Sequence, residues 1–268
     1  MIFLLPPAIG LAQKIVLPDT AYQGDFILGA VHPDARVRVK DRWLPTSPEG
    51  HFVIAVPRNQ KKDLLVTVLH NGRKSSNTIR VWAYPWKKQH ITGLARRYVS
   101  PNADEQRQIR MDAQKVQKVR NSPVYPVPLF IKNGFIKPVT GKVTSQFGNQ
   151  RILNNIPRSS HSGIDIAAPL GRTVLSPADG IVRLTAENMF LMGNTLLLDH
   201  GLGVYSIFIH LNRIHVQVGD LVHQGDGIAE VGKTGRATGP HLHWGVSVGS
   251  VPVDPLRLLN KQFSVATR

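Results

Sequence analysis

The 268-residue chain contains no cysteine, which excludes both a disulfide framework and any metal site built on thiolates. Acidic residues are also scarce. Against 33 Lys and Arg there are only 17 Asp and Glu, a formal net charge of +16. No stretch of the sequence reaches the ~20 consecutive apolar residues that a transmembrane helix needs. A chain this basic is drawn to anionic surfaces, whether nucleic acid, phospholipid headgroups or acidic polymers. It carries no zinc finger, helix-turn-helix pattern or RNA-binding signature, so nucleic acid is not expected as a partner.

The length suits two modest domains, and the charge is divided unevenly between them. Residues 1–129 carry 20 basic and 9 acidic side chains, and residues 130–268 carry 13 and 8. The first-half cations fall in short groups, such as Arg36, Arg38, Lys40 and Arg42, which read as a solvated surface or as contacts to an anionic envelope surface or a regulatory protein.

Residues 1–12 are apolar and uncharged, with Gly10 and Ala12 at the spacing of a signal-peptidase site. They read as an export signal, shortened and without its basic start, and imply a periplasmic or secreted protein. Residues 13–95 alternate short β-type runs with turns: 21–31, 36–39, 52–56, 64–70 and 78–82. Val37 and Val39 alternate with charged neighbours as in a strand with one wet face, and Asn71-Gly72 is a hairpin signal. The expectation is a small β-sandwich of immunoglobulin type. Residues 96–134 read as a linker. A helix starts at Ser100-Pro101-Asn102 with acids in its first turn, runs to about Arg120, and is stopped by Ser122-Pro123 and a stiff Pro-rich stretch. A spacer is the plain reading of this segment, and a cover over the neighbouring site is the sharper one.

The third region, 135–268, holds the chemistry. His161-Ser162-Gly163-Ile164-Asp165 and His241-Leu242-His243 supply imidazoles and a carboxylate, the donors of a zinc site with an open position. In an extended strand His161 and Asp165 would lie about 13 Å apart. Sharing one ion therefore requires a bend, for which Gly163 is suited. His241 and His243 alternate within a strand running from His241 to Val248, so their side chains share a face. The remaining histidines lack such company. His200 reads as turn chemistry in Asp199-His200-Gly201-Leu202-Gly203, Asp179 as a β-turn residue, and His215 and His223 as flanks of short strands. His32, His51, His70 and His90 are scattered without metal spacing.

Around the two stretches lie Ser145-Gln146-Phe147-Gly148, Ala167-Ala168-Pro169-Leu170-Gly171, Tyr205 to His210-Leu211, and Thr238-Gly239-Pro240 leading into His241-Leu242-His243-Trp244. In this order, over about residues 135–258, the chain resembles the lysostaphin/LytM-type zinc endopeptidases that act on peptidoglycan. The resemblance implies an antiparallel β-sheet catalytic domain, with the metal at the floor of an open groove. It makes His161, Asp165 and His243 the ligands of one Zn²⁺ ion, and His210 and His241 the unligated catalytic histidines. Trp244-Gly245 and the irregular Asn149-Gln150-Arg151 depart modestly from the family pattern. The implied reaction is hydrolysis of a peptide bond in peptidoglycan cross-links or stem peptides by a water that the metal activates. His241 would act as general base, and His210 would assist the oxyanion or the departing amine. The alternative is a catalytically silent adaptor of the same fold that activates a cell-wall amidase, against which the intact donor set counts.

Overall fold

A computed structural model describes residues 15–259, 261 and 263; the apolar leader read over residues 1–12 lies outside the described residues. The fold is mainly β, as expected. In the C-terminal half an eight-stranded sheet has the order Leu221–Val222, Gly180–Met189, Gly193–Asp199, Val204–Leu211, His241–Val248, Ile164–Ala167, Lys142–Ser145, with Val251–Val253 paired to the end of His241–Val248. Every pairing in it is antiparallel.

Alternation along these strands gives the sheet two different faces. Ile164, Ile166, Leu196, Leu198, Val204, Phe208, Leu242, Trp244 and Val246 point to one side and form the main apolar core. The register sets the other face: Leu197 opposes Ile207, Ile207 opposes Gly245, Ile209 opposes His243, and His243 opposes Asp165. The histidine-bearing face is therefore also the face of Leu197 and Ile207.

The helix Ala103–Arg120 lies on that same face. Its Val116 is buried with Met189, Leu197 and Tyr205, and Val119 packs alongside. The helix opens on a reciprocal capping box, in which the Asn102 side chain accepts from the Glu105 backbone N–H and the Glu105 side chain accepts from that of Asn102. Such a cap is worth about 0.5–2 kcal/mol. Val116 is the one apolar residue of the helix that is fully buried, so the helix needs further anchors. Asp112, only 2% exposed, accepts a 2.7 Å hydrogen bond from the Phe190 backbone N–H, and Gln117 exchanges hydrogen bonds with Ser250. The helix of the linker is thus packed onto the sheet and tied to its loops.

In the N-terminal region, Thr20–Tyr22, Arg73–Trp82, Leu64–His70, Arg36–Val39 and Arg42–Trp43 form a five-stranded sheet, and Phe26–Ala30 pairs with His51–Ala55 in a two-stranded ribbon. The hairpin at Asn71-Gly72 takes positive φ at both residues, 48° and 71°, as a type I′ turn requires. Ile27, Phe52 and Ile54 of the ribbon join Val37, Val66, Val68 and Ile79 in one core. The ribbon's opposite face, Phe26 and Val53 with Leu28 and Ala55, belongs to the core of the C-terminal half, where the Phe26 ring meets that of Phe130 edge-on at 5.6 Å. One ribbon thus serves two cores. The strand Lys88–Ile91, which falls inside the sandwich region by sequence, pairs in parallel with Gln150–Leu153. The two halves are joined by backbone as well as by side chains.

Candidate metal centre

His161 sits where the chain bends before the strand Ile164–Ala167. Its Nδ1 lies 2.8 Å from Ser145 Oγ and 3.1 Å from the Gln146 carbonyl oxygen. A carbonyl only accepts, so Nδ1 carries the proton and Nε2 presents a lone pair, an orientation typical of metal-bound imidazole. Gly163 does allow the bend, though not through a left-handed backbone. A Cβ there would stand 2.4 Å from the Trp244 carbonyl oxygen and 2.8 Å from His243 Nε2. Only glycine lets the two strands come this close.

The result is a tight triangle. His161 Nε2 is 2.8 Å from His243 Nδ1, Asp165 Oδ1 is 3.0 Å from His161 Nε2, and Asp165 Oδ1 is 2.7 Å from His243 Nδ1. His161, Asp165 and His243 are 2%, 7% and 5% exposed. Burial pushes the His243 imidazole down to about 4 and lowers His161 as well. Burial alone would raise the Asp165 carboxyl, but the His161 and His243 imidazoles set against it hold it well below the usual carboxylate range. At neutral pH two neutral imidazoles and one carboxylate therefore converge on a common point, and His161, whose proton is held on Nδ1, brings only the lone pair of Nε2 to it. A cation satisfies all three donors. Zinc takes this nitrogen and oxygen set at about 2.0–2.1 Å, which would open the triangle to roughly 3.3 Å a side, a few tenths of an ångström of side-chain movement. The donors fit a metal.

Two further imidazoles flank the triangle. The ring centres of His210 and His241 are 4.8 Å apart, and that of His210 is 6.4 Å from His243. His210 Nδ1 donates to the Thr234 carbonyl and His241 Nδ1 to that of Gly239, each at 2.8 Å. Both therefore present an unprotonated Nε2. Burial, followed by the charges of His241 and His243, takes His210 down to about 3. His210 also adopts φ of +66°, a rare conformation for a residue with a Cβ, of the kind found where a side chain is aimed for function. Its N–H bonds to Met192 O at 2.8 Å. The Thr234 hydroxyl donates to Leu211 O at 2.9 Å and accepts from the Asn194 N–H at 2.9 Å, which pins the loop that holds the His210 ring.

In the sequence Arg151 stands out only as part of the irregular Asn149-Gln150-Arg151, without a role. Its Nη2 donates to Asp165 Oδ2 at 2.6 Å, and its side chain is 17% exposed. The pairing joins two strands fourteen residues apart, and no local pattern announces it. His200 is likewise more than turn chemistry. It is fully buried, its Nδ1 donates to Asp179 O at 2.7 Å, and its Nε2 accepts from Ser206 Oγ at 2.8 Å. Trp244 Nε1 donates to that hydroxyl at 3.2 Å. A satisfied polar network thus runs through the core directly behind the metal strand. His215 and His223 lie near Glu230 and Asp179, at 3.3 and 3.7 Å, away from the triangle. His32 and His70 do converge with Asp34, their donor atoms lying within 4.8 Å of one another. In that cluster Asp34 is 80% exposed and His32 Nδ1 already accepts the Asp34 N–H at 3.2 Å.

Residues 159–255 match Peptidase family M23. A Pseudomonas aeruginosa protein of known crystal structure, assigned to the M23 peptidases, superposes with a TM-score of 0.69 at 26% identity, covering 88% of this chain and 94% of that one. The Vibrio cholerae peptidoglycan DD-endopeptidase ShyB is 38% identical over 120 residues, 45% of this chain and 24% of its own length. The DD-carboxypeptidase/endopeptidase Mpg of Neisseria meningitidis is 36% identical over 127 residues, 47% of this chain and 29% of its own. The chain thus spans about a quarter to a third of the length of the curated relatives it matches.

Proposed function

We propose, from the premise that this chain carries a domain of peptidase family M23 of the lysostaphin/LytM type, that it is a zinc endopeptidase hydrolysing peptide bonds in the cross-links or stem peptides of peptidoglycan. The observation that carries the reading is the convergence of His161 Nε2, Asp165 Oδ1 and His243 Nδ1 on one point, with two free imidazole nitrogens beside it. That relatives named as peptidoglycan DD-endopeptidases match over 45% of the chain supports the substrate.

His161, Asp165 and His243 would hold the ion, which when bound supplies a Lewis acid for the peptide carbonyl and makes water a better acid. The chain's own groups move the protons. His241, with Nδ1–H tied to Gly239 O, presents a basic Nε2 that takes the proton of the attacking water and returns it to the departing amine. His210 is held in the same tautomer, so its Nε2 accepts. In that form it orients the water or receives the amine N–H, whereas hydrogen bonding to the oxyanion would require its protonated form. Arg151 holds the second oxygen of Asp165 and keeps the first on the cluster. Because peptidoglycan lies outside the cytoplasm, the reading includes export to the periplasm or beyond, with the basic N-terminal half resting on the anionic envelope.

The test is incubation of the full-length protein with isolated sacculi, with chelator and after zinc is restored, and identification of the released muropeptides by mass. Zinc-dependent loss of cross-linked dimers is expected. Intact sacculi with stoichiometric zinc bound would favour the adaptor.

A further inference from the structure

The helix Ala103–Arg120 does not close over the metal triangle. Between them is a cavity of about 360 Å³. Three arginines reach its wall from separate parts of the chain: Arg120 from the last turn of the helix, Arg151 from the strand Gln150–Leu153, and Arg236 from the loop before His241. No Asp or Glu lines it. Arg151 is engaged on one side by Asp165. Arg120 and Arg236 make no ion pair among the described residues. The buried Nε atoms of Arg120 and Arg151 find no hydrogen-bond acceptor. Holding the guanidinium groups of Arg120 and Arg236 in such surroundings without a carboxylate partner is unfavourable, so stability does not account for these two. His210 and His243 share the wall, which places any group bound here beside the reacting bond.

We propose that Arg120, Arg236 and the free edge of Arg151 form a carboxylate-binding subsite beside the metal centre, which reads an anionic group of the peptide substrate. The inference rests on the peptidase reading and deepens it. Guanidinium forks match carboxylates in a bidentate manner, and they do so best where water is partly excluded. Val116, Leu191, Met192 and Ile207 supply an apolar side to the same cavity, suited to the aliphatic stem that carries the carboxylate. Two sources have this chemistry, the C-terminal carboxylate of a stem peptide and the side-chain carboxylate of a diamino diacid within it. Through Arg120 the linker helix contributes to substrate choice, which explains why it is anchored on the groove face.

The test uses three synthetic cross-linked stem peptides and the full-length protein. One peptide has every carboxylate free, one is amidated at its C-terminus, and one is amidated on the diamino-acid side chain. Equilibrium binding is measured calorimetrically on chelator-treated protein, and kcat/KM on the zinc-loaded protein. Amidation of one of the two positions is expected to weaken binding and lower kcat/KM about tenfold or more, the scale of a charge-assisted hydrogen bond, and the position identifies the source. Arg236→Gln and Arg120→Gln are expected to lose affinity for the free-acid peptide and to erase its advantage, with Arg236→Lys recovering part. Three peptides bound and cleaved alike by the wild-type protein would overturn the proposal, a result that depends on no variant folding. Equal losses by the variants on free and amidated peptides would also overturn it. Selective binding without cleavage would sink the peptidase reading and leave the subsite standing, while cleavage without selectivity would do the reverse.

Discussion

Arg151 donates to Asp165 Oδ2 at 2.6 Å, while the other oxygen of that carboxylate completes the triangle with His161 and His243. A residue outside the metal triangle thus orients one of its corners. Arg151→Ala leaves a buried carboxylate oxygen without its partner and frees Asp165 to rotate. Loss of such an outer partner typically lowers metal affinity about 10–100-fold. Competition against a chromogenic chelator measures the change, and Arg151→Lys is expected to recover part of it. Wild-type affinity in Arg151→Ala would remove this role.

Gly163→Ala places a methyl group 2.4 Å from the Trp244 carbonyl oxygen. The strands Ile164–Ala167 and His241–Val248 must then separate, at about 1–3 kcal/mol for an overpacked contact. Because Asp165 faces His243 across that same pairing, zinc stoichiometry is expected to fall together with the denaturation midpoint. A stable variant with full zinc content would contradict the close-approach account.

His200 couples stability to pH. Burial takes it to about 4, whereas in the unfolded chain it titrates near 6.5. Between these values the unfolded state binds the extra proton, so stability is fully present above about pH 6.5 and is lost as pH falls towards 4. The loss amounts to roughly 3 kcal/mol by linkage at about 1.4 kcal/mol per pKa unit. Urea titrations of the zinc-free protein across this range are expected to show the decline, and a shallower decline in His200→Gln. Parallel slopes in the two proteins would assign the acid sensitivity to other groups.

The ribbon Phe26–Ala30 with His51–Ala55 makes the two halves one folding unit. Phe26 contacts Phe130 and Phe263, at 5.6 and 5.7 Å between ring centres, and Phe26→Ala is expected to cost about 3–5 kcal/mol. It should destabilise the catalytic half although the mutation lies in the N-terminal region. Two separate unfolding transitions, with that of the catalytic half unchanged, would refute the shared core.

These relationships show how far sequence could reach. The short motifs around His161, Asp165, His241 and His243 were legible because each is contiguous and its chemistry depends on residue type. The strands Arg36–Val39, Leu64–His70 and His241–Val248 were legible through alternation, and the long helix through its cap and terminal charges. What escaped is non-local. Arg151 meets Asp165 only after two strands are brought together, and the partner of Asp112 is the backbone of Phe190, 78 residues away. Lys88–Ile91 carries no mark of the distant strand it joins. The positive φ of His210 follows from a carbonyl and a loop that close around it, and nothing in Ile209-His210-Leu211 encodes it.

In the proposed mechanism His161, Asp165 and His243 hold the metal while His241 moves the proton. Zinc content and loss of cross-linked dimers from sacculi, measured together on wild type, His243→Ala and His241→Ala, separate these roles. About one zinc and full activity are expected in the wild type, and neither in His243→Ala. In His241→Ala zinc is retained and activity falls at least about a hundredfold, the scale of a lost general base. Undiminished hydrolysis by His241→Ala, or zinc-loaded wild type that leaves sacculi intact, would contradict this mechanism.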